Sequence, residues 1–261
     1  NPNWGVSVNP DFIRSLAAKA MRLPAAQAAF KTKHLNVWVG ANAALFDAEA
    51  WARCGDPKLD PSQFEGEPCL MGVDLATRED LVSRALLFSK YGDDGKVHLY
   101  YFGQHYIHEA GVEDGRNDRY RGWVEQGVLT PTPGNTTDQA AIEADIIADL
   151  ERFSVEQIAF DPWQGHYLAQ RLLDQGAPMT EVRKIVQHFS EPTKVLGALM
   201  KEGRIHHNGD PVAAWAVGNV VGHFDKKDNV FPQKERPEAK IDPVDALLMA
   251  LSLWLRRQDP Y

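Results

Sequence analysis

The sequence predicts a mixed α/β domain: an antiparallel three-strand meander plus parallel strands in one sheet, flanked by helices. Three observations predict it. Cys69–Ala76 (CLMGVDLA), Leu81–Tyr91 (LVSRALLFSKY) and Lys96–Gln104 (KVHLYYFGQ) are apolar runs of strand length in close succession, the last two joined by the hairpin signal GDDG. The period then changes, because Thr137–Phe153 places Ile142, Ile146, Ile147 and Leu150 on one helical face. Beyond it, short apolar runs alternate with helical patterns, the order that produces parallel crossovers.

Taken in order, residues 1–12 (NPNWGVSVNPDF) read as an irregular arm, and Asp11 serves as the N-cap of a helix to about Met21. A second helical stretch, Pro24–Lys33, has its proline early, where the missing N–H does no harm. Ala48–Pro68 is turn-rich and reads as a link, so residues 1–66 form an N-terminal helical arm and 67–261 the main domain. After the Thr137–Phe153 helix, capped by Thr136 or Thr137, Glu156–Asp161 is a strand and Gly165–Gln175 a helix closed by Gly176. Val182–Val186 is a further strand, Glu191–Glu202 and Pro211–Val221 are helices, and RIHHN between them is extended. Gly222–Pro232 is a polar hairpin, and Asp242–Arg257 an apolar helix whose closing arginines suit its dipole.

Composition excludes several classes. A chain of 261 residues that is 44% hydrophobic can bury a core without staples. Two cysteines without CxxC spacing rule out a disulfide framework and point to a reducing compartment. No apolar stretch reaches the ~20 residues of a helical membrane span, and no secretion signal is evident. His105 and His108 have no zinc-type partners in spacing, while His206 and His207, being adjacent, would point to opposite faces of a strand. There is no GxSxG for serine nucleophile chemistry and no GxxxxGK[ST] loop for ATP phosphates. The net charge of −8 argues against polyanion binding over the whole surface, but leaves room for a basic strip beside an acidic metal site.

Four acids form that candidate site. Asp74 and Asp161 end apolar strands, where open α/β sheets bind ligands. Asp242 and Asp245, three residues apart in the first turn of the final helix, share one face. Each alone has an ordinary explanation as a turn, loop or capping residue. Asp245 is the exception. It precedes ALLMALSLW, close to a buried face, and no Lys or Arg adjoins it in sequence to neutralise it. Together the acids suit an all-oxygen site for Mg²⁺ or Mn²⁺. Lys226, Lys227, Lys234, Arg236 and Lys240 crowd the segment before the final helix. With Lys194 they are the candidate DNA-binding residues; Arg183, Lys184, Lys201 and Arg204 extend a weaker strip, and both groups also read as solvated charge. His188 could line the site or be a plain hydrogen-bonded histidine, and the tryptophans are mostly core, Trp163 being placed to shape a cleft rim.

GVDLA, AFDPW and KIDPVDALLMAL, with NPNWGVSV, FKTKHLNVWV, FSEPTK and RIHHNGDPVAAW, resemble the C-terminal nuclease domain of tailed-bacteriophage terminase large subunits across nearly the whole chain. The resemblance implies an RNase H-like fold and metal-dependent cleavage of double-stranded DNA during genome packaging. In a two-ion site of that kind Asp74 would bridge the ions, Asp161 would complete one, and Asp242 or Asp245 the other. Related Holliday-junction resolvases also carry a D-x-x-D pair on the last helix. The implied partners are DNA, a packaging ATPase domain, the small terminase subunit and the portal, in the host cytoplasm. Without a phosphate-binding loop, the chain is expected to follow that ATPase domain and to hydrolyse no ATP itself. The rival expectations are a catalytically idle DNA-docking or motor-coupling module of the same fold and, from the acids alone, a metal-free two-carboxylate glycoside hydrolase.

Overall fold

The computed structural model describes residues 9–22, 30, 34, 44–75, 81–115 and 117–258. The first helix, α1 (Pro10–Arg22), is capped by Asn9, whose Oδ1 accepts from the Asp11 amide at 2.9 Å; Asp11 pairs instead with Arg14. The helix expected over Pro24–Lys33 lies outside the described residues apart from Phe30. The stretch read as a link contains helix α2 (Ala48–Arg53), capped by Asp47, and a 3₁₀ turn, Pro61–Phe64. Trp51, Cys54 and Phe64 from it are buried, as is Phe46 just before it, so this segment packs into the body.

The meander is present as β1 (Pro68–Asp74), β2 (Val82–Tyr91) and β3 (Val97–His108), all antiparallel neighbours. Strand β3 runs four residues beyond its expected end at Gln104, where β4 (Thr130–Thr132) pairs with Tyr106–His108 in parallel. Near its start β7 (Ile205–His207) pairs with Leu99–Tyr101, also in parallel. Short helices α3 (Glu109–Glu113) and α4 (Arg119–Glu125) link β3 to β4. Helix α5 (Gln139–Arg152) is capped by Asp138 rather than a threonine and leads into β5 (Ser154–Phe160). Next come α6 (Pro162–Asp174) and β6 (Met179–Glu181).

The strand expected at Val182–Val186 is displaced. Val182 is the first residue past β6, and α7 (Val186–Glu202) already begins at Val186, with Pro192 accommodated inside it. Helix α8 (Pro211–Asn219) stops two residues early because Val220 opens the hairpin β8 (Val220–Phe224) and β9 (Val230–Lys234). The final helix is α9 (Asp242–Gln258).

Among the described residues seven strands form one mixed sheet in the order β4-β3-β2-β1-β5-β6, with β7 on the β3 edge. Strand β1 is therefore central, with antiparallel β2 on one side and parallel β5 on the other. One face packs on α9, α7, α8 and α2, and the other on α5, α6 and Phe64. Gly72 sets the first contact. A Cβ there would lie 2.0 Å from the Ala246 carbonyl oxygen and 2.8 Å from the Ala250 nitrogen, so only glycine lets α9 rest directly on β1.

Candidate functional site

That contact positions the acids. Asp74 lies two residues after Gly72 and so faces α9, while Asp245 immediately precedes Ala246, the residue seated on Gly72. Both are buried, at 1% and 4% exposure. Strands β1 and β5 are parallel, with Val73 opposite Phe160 as the last paired step. Asp74 is the last residue of β1 and Asp161 directly follows β5, so both lie at the same end of two neighbouring parallel strands. Asp161 caps α6, its Oδ1 accepting from the Trp163 amide at 3.1 Å. Asp242 opens α9 one turn before Asp245.

The cation that sequence neighbours did not supply to Asp245 is Lys184. It sits three residues past β6, the next parallel strand, and reaches across β5. Its ammonium donates to both oxygens of Asp74, at 3.0 and 3.2 Å, and pairs with Asp245 Oδ2 at 2.7 Å. Lys184 is thus an internal counter-ion, not part of an exposed basic strip. Burial alone would push its ammonium down, but Asp245, Asp74 and Asp242 together hold it well above the ordinary lysine range. Burial and the Asp74 charge push Asp245 up to about 6, against the lowering pull of Lys184 and Lys234. Asp242 and Lys234, of opposite sign, act on this pair from its surroundings.

Among the described residues no group of three or more His, Cys, Asp or Glu side chains is arranged to hold a metal ion. The donor set nonetheless fits a hard cation. It is all oxygen, and its two buried members, Asp74 and Asp245, already converge on one cationic atom, while Asp161 and Asp242 are half-buried.

The expected DNA-binding lysines divide. Lys194, Lys226 and Lys227 line a groove of about 560 Å³ between α7 and the hairpin turn. The turn is fixed by Asp225, which accepts from the amides of Lys227 (2.7 Å) and Asn229 (3.0 Å) and from the Asn229 side chain (2.8 Å). The Val230 amide donates to Ser190 Oγ at 3.1 Å and ties the hairpin to α7. Lys234 acts on Asp245 across the site, and Lys240, whose carbonyl accepts from Asn219, leads into α9. Arg236 is exposed in the connection between them. Arg204 is engaged by Glu202 and the Val97 carbonyl, and His188 bonds the Arg183 carbonyl. Trp163 is 91% exposed and Tyr167, one turn on, is also exposed, whereas Trp51 and Trp123 are core.

Sequence reading missed a buried polar row beside the site. Ser83, opposite Asp74 on β2, bonds His105 Nδ1 at 3.0 Å, and His105 Nε2 meets Asp210 Oδ2 at 2.6 Å. Ser83 is wholly buried, so no substrate reaches its hydroxyl, and the row supports the sheet rather than attacking anything. No motif marks it, because its three members lie on β2, on β3 and at the α8 N-terminus.

Fold and site together define a mixed α/β domain with an acid cluster at the mouth of a covering helix. The family model described as "Terminase large subunit, endonuclease domain" matches residues 1–258, and the chain belongs to that family. It is 36% identical over 261 residues to Protein YmfN of Escherichia coli (strain K12), covering 96% of this chain and 57% of that protein. It is 27% identical to the terminase large subunit of Enterobacteria phage HK97 over 96% of this chain and 49% of the relative. The HK97 crystal structure superposes with a TM-score of 0.70 at 25% identity, over 97% of this chain and 52% of that one. The large terminase nuclease of thermophilic phage G20c, solved with bound magnesium, shares the fold, with a TM-score of 0.54 at 14% identity over 81% of this chain and 98% of that one. The chain spans about half the length of the curated relatives it matches. Among the described residues no helix is long and apolar enough to cross a membrane.

Proposed function

We propose that this chain is a divalent-metal-dependent endonuclease that cleaves double-stranded phage DNA during genome packaging. The observation that carries the reading is the meeting of Asp74 and Asp245 on a single cation, in a chain of the terminase endonuclease family. Asp74, Asp161, Asp242 and Asp245 would hold two ions, Mg²⁺ or Mn²⁺, with Asp74 on the central strand between them. The magnesium and the cobalt seen in G20c nuclease structures support this choice of ion type. When bound, the ions would supply Lewis-acid chemistry at the phosphate and a more acidic attacking water.

The rest is the work of this chain's side chains. Asp161 directly follows β5 and is held there by the Trp163 amide of α6. Lys194, Lys226 and Lys227 in their groove, with Lys234, Arg236 and Lys240 on the approach to α9, would grip backbone phosphates without reading bases. In this reading the chain works beside a packaging ATPase domain, with the small terminase subunit and portal as partners, in the host cytoplasm, and contributes no ATPase activity of its own. Plasmid nicking with Mn²⁺, comparing wild type with Asp74→Ala, tests it. Metal-dependent nicking abolished by the substitution is expected, and equal activity in the two proteins ends the assignment.

The ammonium in the cation position favours one second reading, a catalytically idle DNA-docking or motor-coupling module. That module would bind DNA but no Mn²⁺, and would be indifferent to Asp74→Ala.

A further inference from the structure

Lys184 lies in the short connection between β6 and α7, and its side chain is 23% exposed. The two carboxylates it joins are almost wholly enclosed. Its Nζ contacts both Asp74 and Asp245, and it stands where a divalent ion bound by the same two groups would stand. The ammonium and such an ion cannot use these carboxylates together. Magnesium–oxygen bonds are ~2.0–2.1 Å, well inside the space the ammonium fills.

We infer that Lys184 is a built-in occupant of the metal position. In the metal-free protein it holds the acids together against their mutual repulsion, and divalent ions enter by displacing it. The inference rests on the reading of Asp74 and Asp245 as metal-holding groups.

Several features make exchange feasible without moving the backbone. The flexible four-carbon stem of lysine enters from a partly exposed connection, so its head can leave by side-chain rotation alone. The ammonium brings one positive charge to the two carboxylates of Asp74 and Asp245, whereas a divalent ion brings two. The released ammonium stays tethered at the mouth of the site, where a DNA phosphate would receive it. Metal binding would therefore expose a cation for DNA, and DNA would in turn favour metal by drawing that cation away.

The test is Mn²⁺ binding to the whole chain without DNA, read as free Mn²⁺ by electron paramagnetic resonance, for wild type, Lys184→Met and Asp74→Asn. With the competitor removed, Lys184→Met should bind Mn²⁺ at least about tenfold more tightly, the equivalent of one charge-assisted hydrogen bond. Its metal-free melting temperature should fall, and saturating Mn²⁺ should close the gap to wild type. Equal or weaker Mn²⁺ binding by Lys184→Met overturns the inference. If wild type binds and Asp74→Asn does not, the metal reading stands whatever Lys184→Met does; if wild type binds nothing, that reading falls first.

A measurement on unmutated protein guards against misfolding of the variant. Acetylation of Lys184 by an N-hydroxysuccinimide ester, followed by mass spectrometry, should be slow without metal and accelerate with Mn²⁺, while the Lys201 rate stays constant. A Lys184 rate indifferent to Mn²⁺ also overturns the inference.

Discussion

The sheet carries a cation–carboxylate group on each face, and the two differ in what the cation joins. On the α5 face, Arg84 pairs with Asp149, and its Nε donates at 3.0 Å to the Tyr106 hydroxyl, which donates at 2.7 Å to Asp145. On the α9 face, the Lys184 ammonium bridges the two buried carboxylates of Asp74 and Asp245, with Asp242 adding negative charge and Lys234 positive. The first group holds strand to helix through an ion pair and a tyrosine hydroxyl. The second gathers two buried carboxylates on one atom, an arrangement that a divalent cation would also satisfy.

Removing one charge from each group is the sharpest way to break the comparison. Asp74→Asn should reduce Mn²⁺-dependent nicking by about two orders of magnitude or more, the scale of losing one preorganised electrostatic group. It leaves Lys184 facing Asp245 one to one, so the metal-free melting temperature should hold or rise. Arg84→Met should do the reverse. It strands Asp149 as an uncompensated buried charge, at a cost of about 3–5 kcal/mol in denaturant unfolding, while the folded fraction keeps its nicking rate. A large stability loss in Asp74→Asn, or lost nicking per folded molecule in Arg84→Met, would erase the distinction between the faces.

How far each group could be read from sequence follows from how its members are spaced. The positions of Asp74 and Asp161 at the ends of strands were legible because each closes a short apolar run. Asp242 and Asp245 were legible from their spacing and the apolar helix behind them. Lys184 was not, because it meets Asp245 from a different strand end, and a search of sequence neighbours sees only the missing charge. The strand beside it was misplaced for a related reason. Val182 is buried, and its backbone N–H donates to the Phe160 carbonyl at 2.9 Å just past the strand, so it reads like a strand residue. Strand β4 was hidden by Pro131, which it tolerates because it lies at the sheet's edge. Trp163, expected in the core or at the rim of a cleft, is turned out to solvent by the first turn of α6.

Smaller changes sharpen the comparison by acting on one group's surroundings. Gly72→Ala presses a methyl into the Ala246 carbonyl and lifts α9 off β1 beside Asp245. It should cost about 1–3 kcal/mol by overpacking and also weaken Mn²⁺ binding, a pairing that no substitution around Arg84 should give. Replacing Lys226 and Lys227 together by alanine should leave the fold and Mn²⁺ binding unchanged. The slope of log DNA affinity against log salt should become shallower by about two, roughly one for each phosphate no longer neutralised. An unchanged slope would remove the hairpin groove from the DNA path.

The smallest effect concerns a buried polar group that is neutral as well as closed. His207 stacks on Trp51 at 4.2 Å between ring centres, its Nε2–H donates to the Trp51 carbonyl at 2.9 Å, and its Nδ1 accepts from the Gly209 amide at 3.1 Å. Both nitrogens are used, and a second proton would break the Gly209 bond. Burial holds the imidazole below the ordinary histidine value of 6.5, although the Trp51 bond and Asp210 pull it upward. On acidification the unfolded chain therefore takes up the proton first. The stability this residue contributes is fully present above pH 6.5 and is lost as pH falls below it toward the depressed folded value. The loss amounts to about 1.4 kcal/mol for each pKa unit separating the two states. Denaturant unfolding of His207→Gln should show a flatter dependence on pH below 6.5 than wild type, with nicking at neutral pH unaffected. Equal slopes in the two proteins would place the acid sensitivity elsewhere and leave His207 a packing residue only.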